Sequence, residues 1–130
     1  MKGPVLVIDN DPSIVDFLSF VLEDAGYGVH TALDGDVGME LALRHRPPIV
    51  ICDLMMGQMH GFEVLQALRA RAELAETVVI VASSKAFKPD VDRARELGAT
   101  EYLVKPFRVD ELLQAIERHL SSRGAPSGGA

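Results

Sequence analysis

Four apolar stretches of this chain each end on a group that can do chemistry. Val5-Leu6-Val7-Ile8 runs into Asp9-Asn10-Asp11, and Ile49-Val50-Ile51-Cys52 stops on Asp53. The run that starts at Val78 stops on Ser83, and Glu101-Tyr102-Leu103-Val104 on Lys105. Asp9, Asn10, Asp11 and Asp53 together offer several oxygen ligands and an excess of negative charge. A hard divalent cation, Mg²⁺ with retained waters, would relieve that repulsion. A serine hydroxyl and a compact lysine ammonium beside such a cation suit the equatorial oxygens of a transferring phosphoryl group. In that arrangement Asp53 is the nucleophile and becomes an aspartyl phosphate.

These residues are far apart in sequence, so the argument depends on the elements that carry them. Runs of four or five apolar, β-branched residues bounded by Pro47-Pro48 or by Gly-containing turns read as strands covered on both faces. Between them the apolar spacing changes to three and four residues. Asp11 is a natural cap and Pro12 a natural first residue for a helix whose apolar positions are Ile14, Val15, Phe17, Leu18, Val21, Leu22 and Ala25, with Gly26 as its stop. After a Gly26-Tyr27-Gly28 turn, Val29 to Ala32 reads as the second strand. Asp34-Gly35-Asp36 opens a second helix to about Arg46. The Gly57-Gln58-Met59-His60-Gly61 turn precedes a third, carrying Val64, Leu65, Ala67 and Leu68. Pro89 starts a fourth that stops at Gly98, and Asp110 to Leu120 is the last.

Five strands alternating with five helices predict one α/β domain, a doubly wound parallel sheet with right-handed crossovers and helices on both faces. Every strand in such a sheet points its carboxyl end at the same edge, where ligands of open α/β sheets bind. Asp9, Asp53, Ser83 and Lys105 therefore converge. Residues 1–120 form the expected domain, and 121–130 a flexible tail or the start of a linker.

Composition narrows the function classes. At 130 residues the chain is long enough to bury a core without disulfides or structural zinc. Its single cysteine, Cys52, sits inside an apolar run and fits a reducing compartment. The apolar runs are too short to span a bilayer and the start holds no signal-peptide core, so the expectation is a soluble, cytoplasmic protein with no membrane partner. A net charge of −6 with both signs spread along the chain argues against direct nucleic-acid binding. The four histidines, His30, His45, His60 and His119, lack zinc-ligand spacing.

The chain from about Pro4 to Leu120 resembles a receiver domain of the two-component response regulators. The residues that carry the resemblance are Val5 to Asp9, Asp53-Leu-Met-Met before Gly61-Phe-Glu, Ser83, Gly98-Ala, and Tyr102-Leu-Val-Lys105-Pro106-Phe107. The resemblance implies a flavodoxin-like sheet of strand order 2-1-3-4-5, the order for which receivers are a standard example. It implies Asp53 as phosphoacceptor, Asp9 as first of the acidic residues that hold Mg²⁺, and Met55 as donor of a backbone carbonyl to the metal. Ser83 matches the switch hydroxyl, Tyr102 the switch aromatic, Lys105 the family lysine and Pro106 a proline that is cis in the family. Where the family has a second acid after Asp9 this chain has Asn10, a weaker metal ligand unless Asp11 supplies its carboxylate. The loop at 57–61 lacks the family's proline, which leaves it with more backbone freedom. Ser84 and Lys85 stand where water's access to the acyl phosphate is tuned.

The function so implied is a phosphorelay switch. A sensor histidine kinase or phosphotransfer protein donates to Asp53, Ser83 closes on the new oxygens, and Tyr102 turns inward. The face of the fourth helix, fifth strand and fifth helix then changes its affinity for an output partner or a second copy. Any catalysis is limited to phosphotransfer onto Asp53 and its reversal by water. Asn10 motivates an alternative, a receiver-like interaction module that works without phosphorylation. A phosphatase of the haloacid-dehalogenase kind would also use Asp9-Asn10-Asp11. It lacks a match, because the last strand ends on Lys105-Pro106 instead of a further acidic pair.

Overall fold

The computed structural model describes residues 2–54 and 61–124. The sheet is built from β1 (Lys2–Ile8), β2 (Tyr27–Ala32), β3 (Ile49–Cys52), β4 (Val78–Ser83) and β5 (Glu101–Val104). All neighbouring strands are parallel, as the alternation of elements predicts, and their order is β2-β1-β3-β4-β5, as the family resemblance implies. The connections are α1 (Pro12–Asp24), α2 (Gly35–His45), α3 (Gly61–Ala70), α4 (Lys88–Glu96) and the terminal α5 (Val109–Gly124). No helix among the described residues is long and apolar enough to cross a membrane.

Alternation along the strands divides the core into two. Leu6, Ile8, Val50, Cys52, Val79 and Val81 face Ala42, Val64, Leu65, Leu68 and Ala94 of α2, α3 and α4. Val5, Val7, Ile49, Ile51, Val78 and Ile80 face Val15, Leu18 and Leu22 of α1 and Leu112, Ala115 and Ile116 of α5. Because the inner strands are covered on both sides, their sequences are apolar without a break.

Local chemistry fixes the helix starts. The Asp11 carboxylate accepts from the Ser13 N–H at 2.9 Å, with Pro12 in the first turn, and Asp34 caps α2 by accepting from Val37 N–H at 2.8 Å. The stops at Gly26 (φ 97°) and Gly98 (φ 110°) use the left-handed conformation open to glycine. At Gly98 a Cβ would also lie 2.7 Å from Arg69 Cγ.

Several boundaries differ from the sequence reading. Tyr27 and Gly28 belong to β2 and not to a turn, because the Tyr27 ring is buried at 3% exposure against α1 and α5 while Gly26 alone makes the bend. Phe17, grouped with the inward positions of α1, lies half out of the protein at 51% exposure. A short 3₁₀ turn, Ala72–Leu74, precedes β4, and α5 continues through Gly124, past Leu120.

Candidate functional site

Register places the two carboxylates side by side. Ile8 pairs with Cys52, so Asp9 and Asp53 are the first residues beyond a matched pair on adjacent strands. Their backbones remain in the ladder, Asp9 N–H donating to Ala32 O at 3.1 Å and Asp53 N–H to Ile8 O at 3.0 Å. Both side chains are buried, at 3% and 7% exposure. Gly61 closes β3 from below: its N–H donates to Leu54 O at 3.2 Å, and a Cβ there would run into the carbonyl oxygen of Asp53 and Cα of Leu54. Only glycine lets α3 start this close to the candidate acceptor. The sequence singled out Gly61 as part of a motif, but no local signal announces that contact.

Lys105 comes from β5, two strands away from β3, and reaches both acids. Its Nζ lies 2.8 Å from Asp9 Oδ2 and 3.2 Å from Asp53 Oδ2. Burial lowers the pKa of this ammonium, but the Asp9 hydrogen bond and the charges of Asp53 and Asp9 outweigh it, and the value stands above that of an ordinary lysine. One cation thus serves two anions, and the cluster keeps a net negative charge. The peptide bond from Lys105 to Pro106 is cis, as the family resemblance implies.

Ser83, fully buried at the end of β4, is fixed by its own turn. Its Oγ accepts from Lys85 N–H at 3.2 Å, and its carbonyl accepts from Lys105 N–H at 2.8 Å. Tyr102 is already inward, at 8% exposure within the α2–α3 side of the core. Its hydroxyl donates to Lys85 O at 2.6 Å. Burial raises the phenol's pKa; a hydrogen bond with the Ser83 side chain opposes that, and the Asp90 and Asp53 charges reinforce it.

Asn10 is exposed beside Asp9. Asp11 does not turn its carboxylate inward: it is committed to the α1 cap, and only its backbone N–H reaches the cluster, donating to Asp9 Oδ1 at 3.0 Å. Met55 and the 57–60 loop, with His60, lie outside the described residues. Cys52 is buried under the acids, and burial, with Asp53 and Asp9 adding to it, pushes its thiol far above the ordinary range. Beside Lys105 a groove of about 400 Å³ is lined by Ile14, Phe17, Leu18, Ser84, Pro106 and Phe107.

The donor set suits a hard cation. Asp9 and Asp53 stand side by side at the carboxyl edge of the sheet, and Mg²⁺ takes only one or two carboxylates and keeps waters. Among the described residues no group of three or more His, Cys, Asp or Glu is placed to hold a metal.

The fold and this edge define a doubly wound, flavodoxin-like domain with an acid and lysine cluster at the strand ends. Comparison with known proteins is specific. Residues 5–117 match the response regulator receiver domain. The chain is 38% identical over 112 residues to the DNA-binding dual master transcriptional regulator RpaA of Synechocystis, covering 86% of this chain and 46% of that protein. It therefore spans about half the length of that relative. The chemotaxis protein CheY4 of Vibrio cholerae superposes with a TM-score of 0.86 at 33% identity, covering 91% of this chain and 98% of that one. A BeF3-activated DrrB receiver domain superposes with a TM-score of 0.83 at 27% identity, covering 93% and 99%. The chain belongs to the response regulator receiver domain family.

Proposed function

We propose that this receiver is controlled by phosphorylation of Asp53 within residues 1–120. The observation that carries the proposal is the pairing of two buried carboxylates by Lys105 at the carboxyl edge of the sheet. A phosphohistidine of a sensor kinase or phosphotransfer protein is the donor: its P–N bond breaks as an Asp53 carboxylate oxygen forms the P–O bond, and the imidazole recovers a proton. Asp9, Asn10, Asp53 and the Met55 carbonyl would hold Mg²⁺, which when bound would neutralise charge on the phosphoryl oxygens. Lys105 supplies a second positive charge and Ser83 a hydroxyl donor to the same oxygens. The consequence is a change at the face of α4, β5 and α5 toward an output partner or a second copy, in the cytoplasm and without direct contact to nucleic acid.

Incubation with Mg²⁺ and acetyl phosphate should add the mass of one phosphoryl group to the wild type and nothing to Asp53→Asn. A wild type without that gain refutes the proposal. A second reading, a module that binds partners without phosphorylation, is favoured by Asn10 and by Tyr102 being inward already. Partner binding by Asp53→Asn equal to that of the wild type, with and without the donor, would establish it.

A further inference from the structure

The turn between β4 and α4 carries an ion pair, Lys85 with Asp90, that the family resemblance does not supply. Lys85 makes three contacts from one residue. Its N–H donates to Ser83 Oγ at 3.2 Å, its carbonyl accepts from Tyr102 at 2.6 Å, and its ammonium stands 3.8 Å from Asp90 Oδ2. Asp90 belongs to the first turn of α4, where a carboxylate also complements the helix dipole. Elsewhere the turn is loosely held: Ser84, Ala86 and Phe87 are exposed, and Phe87 caps α4 with no side-chain hydrogen bond.

We propose that Lys85 and Asp90 form a clasp that fixes this turn in the arrangement that buries Tyr102, so that the inward switch position is populated before Asp53 is modified. The inference rests on reading Ser83 and Tyr102 as the switch. If Lys85 swings away, its carbonyl leaves the phenol, which loses its 2.6 Å bond and keeps only the one with the Ser83 side chain, itself held by the Lys85 N–H. The ring then follows the turn outward, and the two move as one unit. The clasp acts through Tyr102, so Lys85 and Asp90 are positioning residues. Their pairing is partly exposed, at 40% and 24%, which makes the device sensitive to salt.

Fluorine NMR of the full chain carrying meta-fluorotyrosine tests this, with Tyr27→Phe assigning the Tyr102 signal. Asp90→Asn and Lys85→Gln should each lower the inward-to-outward ratio about threefold, the scale of a partly exposed ion pair. Raising ionic strength from about 0.05 to about 0.5 M should do the same to the wild type and little to either variant. The charge exchange Lys85→Glu with Asp90→Lys should restore the ratio. Lys88→Gln, which removes the exposed Lys88–Asp92 pair at 2.7 Å on the same helix, should leave it unchanged. An Asp90→Asn signal like that of the wild type overturns the clasp, as does an equal shift in Lys88→Gln, which would show general loosening of α4. Mass gain at Asp53 is read separately: its absence refutes the proposed function and leaves the Tyr102 measurement standing, and the converse also holds.

Discussion

Replacing Lys105 with glutamine should expose how far one ammonium supports the whole edge. The Lys105 Nζ lies 2.8 Å from Asp9 and 3.2 Å from Asp53, and these carboxylates are 3% and 7% exposed. Removing one partner of a buried ion pair costs about 3–5 kcal/mol, because the other charge stays behind unpaired. Here two charges stay behind and repel each other. Against that, the Lys105 side chain is 19% exposed and the edge is open to solvent, so screening reduces the loss to about 2–3 kcal/mol. That is a large share of a typical domain's stability and a drop in Tm of about 6–15 °C. Mg²⁺ should narrow the difference by supplying charge where the ammonium was. By contrast, Asp53→Asn keeps the Lys105–Asp9 pair and removes one anion, and should stay within about 1 kcal/mol of the wild type. The pH dependence has a definite sign. Folding raises the Lys105 pKa, so its stabilisation is complete below the ordinary lysine value of about 10.4 and disappears as pH rises through the folded value. The wild type should lose more stability on that alkaline limb than the glutamine variant, which keeps only the share from Tyr27, Cys52 and Tyr102, whose pKa values folding also raises. Urea unfolding followed by circular dichroism, with and without Mg²⁺, measures all of this. A Lys105→Gln loss below about 0.5 kcal/mol, unaffected by Mg²⁺, would refute the reasoning.

Gly61→Ala should destabilise the domain by about 3 kcal/mol or more, since the added methyl meets backbone atoms of Asp53 and Leu54 that cannot rotate away; urea midpoints with and without the substitution check it. Cys52 should be inert to a disulfide reagent in the native state, and react at the rate of global unfolding, because it is 2% exposed and its thiolate is strongly disfavoured. His30 and His45 stack with ring centroids 3.9 Å apart, and burial, then the His45 charge, lowers the His30 pKa. The folded state therefore takes up this proton less readily than the unfolded state. Stability present above the ordinary histidine value of about 6.5 is lost as pH falls from there through the folded value, and His45→Gln should flatten that part of the profile in urea titrations between about pH 7 and 5.

The parts of this molecule legible in the sequence are those that local pattern encodes. Strands covered on both faces must be apolar throughout, so β1, β3 and β4 stand out, and the caps at Asp11 and Asp34 mark where helices begin. Convergence of Asp9, Asp53, Ser83 and Lys105 on one edge followed from parallel topology alone. Features made by distant partners were not legible. Tyr27 between two glycines reads as a turn until its ring is seen in the core. Arg69 donates to the carbonyls of Gly98, Leu74 and Ala75 at 3.0, 3.2 and 3.3 Å and to Thr100 Oγ1 at 3.3 Å, joining α3, the 3₁₀ turn and the start of β5. Carbonyl acceptors carry no residue-type signal, so a clamp of this kind leaves no trace in the sequence.

With Tyr102 as the proposed switch, its inward position would limit what phosphorylation of Asp53 can do. A modification shifts an equilibrium only by its differential affinity for the two states, and the shift is bounded by what remains unpopulated. If nine molecules in ten already hold Tyr102 inside, complete closure raises the active population by only about 1.1-fold on that coordinate. A large response would then have to come through a different coordinate. The Lys105 ammonium is the candidate on the proposed reading: Asp9 and Asp53 hold it before transfer, and phosphoryl oxygens on Asp53 would compete for it afterwards. If, on the other hand, the clasp is weak enough for salt to open it, Tyr102 regains its range and the phosphoryl group its leverage. The two regimes separate in one comparison, the partner affinity of the wild type before and after phosphorylation at low and at high salt. A phosphorylation effect that grows with salt assigns the response to Tyr102, and one that falls or stays constant assigns it to the charge at Lys105.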